Sequence, residues 1–364
     1  MIVAGAITFD QAVRAVDFRT LALLFGMMVV VAHIRIAGGI AALARAVAAH
    51  ASHPAVLLMA IVAAAGVLSA LFVNDTVCLV FTPLVVDVAR VRGHRATPYL
   101  LALATGSNIG SVATITGNPQ NMLIGSLSHI PFATFAARLA PVAAVGFIVD
   151  AAIVWAVYRR ELHATVSEGA EPPSFSVDRR LLLKSGIVST AMLAAFLVGY
   201  EPAIVAVAGA AVLLVTTRVS PRTIYAAIDW ELLMLFVGLF VVVGAAEQAG
   251  IAERLFELLR PIGVGTVAGL TATAGVLSNV VSNVPAVMLL AHAVPSLPNP
   301  ARAWLTLAMA STLAGNLTVL GSIANLIVVE GARRRGVSIS FAEYARVGVP
   351  ITVITLAIGA WWLR

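Results

Sequence analysis

The chain alternates long hydrocarbon-like runs with short polar connectors. Apolar runs of about 20 residues are long enough to cross a bilayer as a helix. Spans are therefore expected near Thr20–Ile34, Phe135–Tyr158, Leu181–Val198, Ala203–Thr217, Leu232–Ala246 and Val347–Leu363. Two further segments, Tyr99–Leu127 and Leu305–Val329, are long enough but are interrupted in the middle by Gly, Ser, Thr, Asn and Pro. That mixture unwinds a helix and frees backbone groups to act as ligands. Met1–Asp17 reads as a short apolar start and a polar connector, and Gly38–His50 and the amphipathic Ile251–Arg260 as membrane-surface helices.

One stretch organises the rest. Gly66 to Thr76 ends in Asn74-Asp75-Thr76 and is followed by the apolar run Val77–Val88. A carboxylate beside a carboxamide, with apolar sequence on both flanks, is costly unless paired, solvated or bound to something. The run after it is about 12 residues, roughly 18 Å of helix against a hydrocarbon core of about 30 Å. A turn inside the membrane is expected, forming a re-entrant hairpin over about Pro54–Val88. Two ordinary spans joined by a polar surface turn are the alternative.

The stretch recurs. Gly66, Ser69, Val73 and Asn74 face Gly275, Ser278, Ser282 and Asn283 at an offset of 209, and the second exit run, Ala286–Val294, is again short. In the interrupted segments Ser107, Thr114, Gly117 and Asn121 face Ser311, Thr318, Gly321 and Asn325 at an offset of 204. Upstream, Asp17 and Gly26 face Asp229 and Gly238 at 212, so the chain is a duplication. The second copy holds five full spans and a hairpin. An odd number makes successive copies point opposite ways, as in inverted-repeat carriers. With Arg159–Arg180 in the cytoplasm, 16 of the 23 Lys and Arg fall inside and seven outside. The expected organisation is a first inverted repeat over 1–158, a cytoplasmic linker over 159–180 containing Glu168, Glu171, Pro172 and Pro173, and a second repeat over 181–364. The first repeat has no counterpart of Leu181–Val198 and Ala203–Thr217, so its N-terminal spans are missing, or the fold manages with eight full spans and two hairpins.

Composition fits an all-α polytopic membrane protein: 60% hydrophobic and 11% charged residues, with a mean hydropathy of +1.00. The net charge of +6 sits in short loops, where it sets topology, so nucleic acid is not an expected partner. Lone Cys78 excludes an intramolecular disulfide and reads as a packing residue. Met1–Ala6 lacks the basic head of a signal peptide. Phosphate-loop, His-Glu-x-x-His and nucleophile-elbow motifs are absent, which argues against an enzyme.

Four helices should begin near the midplane, after Asp75, Asn118, Asn283 and Gly321. Their positive N-terminal ends favour an anion or a polarised oxygen, while freed carbonyls suit sodium. Asp75 is the one carboxylate expected near the hairpin core, where it either carries a proton, balances a cation or caps its helix. Asp150, inside an expected span, is a second functional candidate, with pairing to a neighbouring polar group as the alternative. His33 reads as a packed or interfacial histidine. The core segments hold no Lys or Arg at their centres. A charged oxyanion would then need helix ends and co-bound cations, whereas a neutral hydroxide such as arsenous acid needs no fixed positive charge.

The paired tips Asn74-Asp75-Thr76 and Ser282-Asn283, with the Gly117-Asn118-Pro119-x-Asn121 break, resemble the ion transporter superfamily, which contains divalent-anion/sodium symporters, arsenite permeases and sodium/proton antiporters. Symporters of that group carry Ser-Asn-Thr at each tip. Here Asn74, Thr76, Ser282 and Asn283 match, and Asn-Asp at the first tip looks closer to the arsenite permeases. The resemblance implies an ion-coupled secondary transporter of the inner membrane, moving a small inorganic or organic anion or a metalloid oxyacid. A sodium/proton antiporter is the alternative, and an intramembrane enzyme a remote one. Substrate contacts are expected from Asn74, Thr76, Asn118, Ser282, Asn283 and Ser322. Contacts to a coupling sodium or proton are expected from Asp75, Ser69, Ser107, Asn108, Thr114, Asn121, Ser278, Ser311, Thr318 and Asn325, with sodium at the two tips and no other cofactor. It also implies an elevator: about Pro54–Tyr158 and Pro261–Leu363 slide against a dimeric scaffold of Thr20–Ile34, Leu181–Thr217 and Leu232–Ala246, with Gly38 and Gly250 as hinges and the surface helices as arms.

Overall fold

The structure, a computed structural model, describes residues 7–50, 53–162 and 176–364. The expectations for Met1–Ala6, and for residues 163–175 of the linker with Glu168, Glu171, Pro172 and Pro173, lie outside the described residues. All regular structure among the described residues is helical. The first half comprises α1 (Phe9–Ala15), α2 (Phe18–Ile36), α3 (Gly39–His50), α4 (Pro54–Leu71), α5 (Asn74–Val91), α6 (Thr97–Ser111), α7 (Pro119–Ser128) and α8 (Phe132–Leu162). The second comprises α9 (Arg179–Val198), α10 (Pro202–Thr216), α11 (Pro221–Tyr225), α12 (Trp230–Gln248), α13 (Ile251–Leu259), α14 (Val267–Val281), α15 (Asn283–Ala291), α16 (Pro300–Ala314), α17 (Ile323–Arg334) and α18 (Phe341–Trp362). Six of these, α2, α4, α8, α9, α12 and α18, are long and apolar enough to cross a membrane. The chain is an α-helical multi-pass membrane protein.

Local chemistry sets the helix starts. Asp17, Asp178 and Asp229 precede α2, α9 and α12, and each carboxylate accepts from backbone N–H groups of the first turn. Such a cap satisfies donors that have no partner inside the helix. The pair α4 and α5 is joined by Phe72 and Val73, and the pair α14 and α15 by Ser282 alone. The first pair differs from the expected length. Helix α5 has 18 residues, about 27 Å, because it starts at Asn74 and continues past Val88. Asp87 and Arg90 are held against α17: Asp87 Oδ1 receives a 2.7 Å bond from Arg335 Nη1, and Arg90 donates to the Arg335 carbonyl. Helix α15 has only nine residues.

Helix α1 was not foreseen. Seven residues are too few for a periodic signal, yet α1 packs on α12, where Ile7 and Ala12 meet Ala245 in a small satellite core.

The centre of the molecule is α6, all 15 residues of which are buried. Its sequence is small or apolar on every side, so neighbours cover it all round. Helices α4, α5, α8 and α17 pack on it, and α18 and α16 pack on α8. Close approach of α4 and α6 depends on Gly66 and Gly110, since a side chain at Gly110 would run into the Gly66 backbone. Helices α2, α9 and α10 form a second group that packs mutually. Between the groups lies an apolar cavity of about 310 Å³, lined by Met27 and Val30 of α2, Leu71 and Phe72 at the α4 tip, and Met192 and Phe196 of α9. His33 is fully buried, its Nδ1 2.8 Å from Val29 O and its Nε2 3.2 Å from Thr217 Oγ1, and Cys78 is equally buried.

Candidate functional site

Where α6 stops at Ser111 the chain makes a short 3-10 turn, Ile115–Gly117, before α7. Where α16 stops at Ala314 it makes another, Val319–Gly321, before α17. A helix end leaves carbonyls without partners, and in a buried place these must be satisfied. One asparagine does this in each half. Asn121 Nδ2 donates to the carbonyls of Ser111 and Thr114, both at 3.0 Å. Asn325 Nδ2 donates to those of Gly315 (2.7 Å) and Thr318 (3.0 Å). Ser111, Thr114 and Asn121 match Gly315, Thr318 and Asn325 at the offset of 204, so the same pair of bonds is made twice.

The two interruptions also bond to each other. Ser322 Oγ donates to Asn108 Oδ1 at 3.0 Å, and Asn118 Nδ2 donates to Thr312 Oγ1 at 3.2 Å. Asn108 matches Thr312 and Asn118 matches Ser322, so one contact appears twice with the halves exchanged. Asn108 is the hub: its Nδ2 donates to Asn316 Oδ1 (2.8 Å) and Asn325 Oδ1 (3.0 Å), and its Oδ1 also accepts from Asn74 Nδ2 (3.0 Å). Asn316 Nδ2 reaches the Thr105 carbonyl at 3.2 Å, and Gln120 Nε2 reaches Thr312 at 3.2 Å. Asn108, Asn118, Asn121, Asn316 and Asn325 are all buried, and no Lys or Arg hydrogen-bonds to them among the described residues. Buried amides and hydroxyls can offer both donors and acceptors to a polar solute.

The tips join this centre unequally. At the first, Asn74 bonds the hub, Ser107 Oγ donates to the Asn74 carbonyl at 3.3 Å, and the Ser69 and Ser107 hydroxyls are 2.8 Å apart. Asn74 Oδ1 is buried without a partner. At the second, Asn283, with its amide assigned so that the nitrogen meets the acceptors around it, donates to the carbonyls of Ser311 (3.0 Å) and Gly321 (3.3 Å). Ser311 Oγ turns back to Leu307 O at 2.7 Å, and Ser278 Oγ is buried without a partner. Thr114 donates to the Ala70 carbonyl, whereas Thr318 Oγ1 meets Asn279 Oδ1 at 3.4 Å. Thr76 is half-buried and Ser282 exposed, and neither side chain is hydrogen-bonded.

Asp75 sits half-buried in the first turn of α5 with no side-chain hydrogen bond. The capping alternative for it fails, because Val73 occupies the cap position and no side chain caps this helix. Residues overlooked in the sequence are Asn316, Thr312, Gln120 and Thr105. Thr312 was open to discovery, as the partner of Asn108 at the offset of 204.

A helical membrane protein whose two halves each interrupt a helix, and whose interruptions meet in a buried polar centre, belongs to the class of secondary transporters. Residues 1–314 match the CitMHS family, described as citrate transporter. The silicon efflux transporter LSI3 of Oryza sativa subsp. japonica is 32% identical over 99% of this chain and 89% of its own length. An uncharacterized transporter of Mycobacterium tuberculosis is 32% identical over 100% and 91%. Among solved structures, the Alcanivorax borkumensis YdaH transporter shares the fold, with a TM-score of 0.61 at 17% identity over 100% of this chain and 86% of that one. The chain belongs to the CitMHS family of the ion transporter superfamily; it is a secondary transporter and not an enzyme.

Proposed function

We propose that this transporter carries a small metalloid hydroxide, of the silicic or arsenous acid kind, through the centre around Asn108. The observation that carries this reading is the hub itself, a cluster of amides and hydroxyls from both halves with no Lys or Arg hydrogen-bonded to it among the described residues. Hydroxyl groups of a neutral oxyacid match such a set without a fixed charge, and the rice relative is named for silicon efflux. The second reading, a carboxylate anion with co-bound sodium, is favoured by the citrate transporter family description and by the carbonyls grouped at the two interruptions.

We read the helix pairs α4/α5 and α14/α15 as re-entrant hairpins in inverted repeats. The nine-residue α15 and the exchanged Asn108–Ser322 and Asn118–Thr312 bonds support this. An elevator is the motion we infer, with α4–α8 and α14–α18 sliding on α2, α9, α10 and α12, the last group forming a dimer interface. Gly38 and Gly250 serve as hinges; both have positive φ, 77° and 67°, and end α2 and α12. The apolar cavity between the groups is space for such a slide.

Proteoliposomes test the substrate. Uptake of silicic acid, arsenite and citrate is measured with sodium and pH gradients imposed separately, and a metalloid hydroxide should be accumulated. Citrate uptake alone would select the second reading. Sodium-for-proton exchange with no solute moved would return the antiporter.

A further inference from the structure

Asp150 lies in α8 with none of its surface exposed. Its Oδ1 accepts from Thr105 Oγ1 at 2.7 Å, while Oδ2 is buried with no partner among the described residues. Thr105 Oγ1 is also 2.7 Å from Leu101 O, and a hydroxyl has one hydrogen to give. The carboxylate therefore shares its single donor with a helix carbonyl. A bare carboxylate oxygen in such a place is costly unless it takes up a proton or a cation. A metal ion needs several oxygens and room for them. Oδ2 is closed off by Gly106, where an added methyl group would stand 3.2 Å away, and the cavity described above does not reach it. A proton needs only the oxygen itself.

The surroundings hold one group able to answer a change at Oδ2. The hydroxyl of Tyr344 on α18 lies near Asp150 and is buried without a hydrogen-bond partner among the described residues. Other titratable groups near α8 are engaged elsewhere or stand apart. Tyr99 of α6 interacts with Arg92, and Tyr158 and Glu343 join Arg95 and Glu161 in an ion-pair group. Lys184 of α9 donates to Thr216 O and Arg302 of α16 to Arg364 O; His53 caps the start of α4. Arg179, Arg180 and Arg346 are exposed. Asp150 thus reaches the hub through Thr105, whose hydroxyl it accepts from and whose carbonyl accepts from Asn316.

We propose that Asp150 is the proton-binding site that couples transport, with the hydroxyl of Thr105 as its exchangeable partner. This rests on the transport reading above and names its coupling ion. The carboxylate binds one proton at Oδ2 from water on one side, becomes a neutral acid, and returns the proton to water on the other side, with no other bond changed. As a carboxylate it draws the Thr105 hydroxyl; as an acid it releases that hydroxyl to Leu101 O. Thr105 is the residue whose carbonyl accepts from Asn316. Asp75, partly buried at the start of α5, is left to the solute side of the site.

Infrared spectra of the purified protein across a pH range test the assignment without any solute. A protonated-carboxyl band should titrate in the wild type and in Asp75→Asn and be missing from Asp150→Asn. In proteoliposomes, with the solute identified by the uptake panel, Asp150→Asn should lose pH-gradient-driven accumulation and its pH profile, keep exchange of labelled for unlabelled solute, and be partly rescued by Asp150→Glu. The same carboxyl titration in wild type and Asp150→Asn overturns the proposal whether or not any solute is carried. So does wild-type accumulation in Asp150→Asn, or joint loss of exchange and accumulation in a variant that melts with the wild type. Should Asp150→Asn fail to fold, Asp150→Glu serves, since its band must move from the wild-type position and an unmoved band overturns the assignment.

Discussion

Asn121 and Asn325 perform the same task at matching positions, each giving both amide hydrogens to two carbonyls freed by an interrupted helix. The tips that face them have diverged. The first is built from relaxed backbone, with Val73 at φ −61° and ψ 124°, and carries Asp75 and a long helix α5. The second turns on Ser282 at φ 78° and ψ 161°, carries no acid, and starts a helix of nine residues. Ending a helix in a buried place has few solutions, so both copies kept the same one. On the reading of the two turns as solute-facing tips of inverted repeats, no such constraint acts there, and the two were free to specialise.

The hub gives the largest test of that difference. Asn108→Ala strands Asn74, Asn316, Asn325 and Ser322, each a buried polar group whose lost partner costs about 1–3 kcal/mol. Solute uptake should fall to background, with a clear drop in melting temperature. Thr312→Val, at the matching position, removes only acceptors for Asn118 and Gln120 and should cost about 1 kcal/mol. Equal losses at the two positions would erase the asymmetry. Next in size, a cysteine pair at Leu71 and Met192, facing the cavity between the helix groups, should stop turnover when cross-linked and release it on reduction; unchanged turnover in a fully cross-linked sample would exclude the slide.

Asn121→Ala and Asn325→Ala sharpen the shared part. Both should destabilise by about 2–3 kcal/mol in thermal unfolding, Asn325→Ala somewhat more because its Oδ1 also holds Asn108. The smallest expected effect is one of sign. Ser282→Gly should raise stability by about 1 kcal/mol, since its φ and ψ fall where only Gly is unstrained. Val73→Gly should lower it by a similar amount through the unfolded chain. Stabilisation at both positions would show that Ser282 stores no strain.

Much of this was legible in the sequence. The duplicated Ser107/Ser311, Thr114/Thr318 and Asn121/Asn325 marked both interruptions, because a polar residue inside an apolar run is rare enough to align. Asn74 and Asn108 were named as site residues on the same ground. What the pattern could not reveal was pairing across the halves. Asn108 and Thr312 are unlike in type, so their equivalence did not stand out, and Asn316 faces Val112, which has no polar group to match. The length of α5 was misjudged because only the run Val77–Val88 was counted, whereas the helix starts at Asn74 and runs to Val91, with the distant Arg335 holding Asp87 and Arg90 near its end. Asp150 was visible as an acid in a span, but its lone donor, Thr105, is 45 residues away.

The exchanged bonds Asn108–Ser322 and Asn118–Thr312 have the form of an isologous contact, in which one patch meets its own copy. On the reading of the halves as inverted repeats, a chain joined by such a contact is in effect a dimer whose subunits share one polypeptide. Helices α5 and α17, α8 and α18, and α2 and α10 all meet across the same divide. Two separately translated halves, severed in that connection, should find each other in the bilayer and rebuild one carrier.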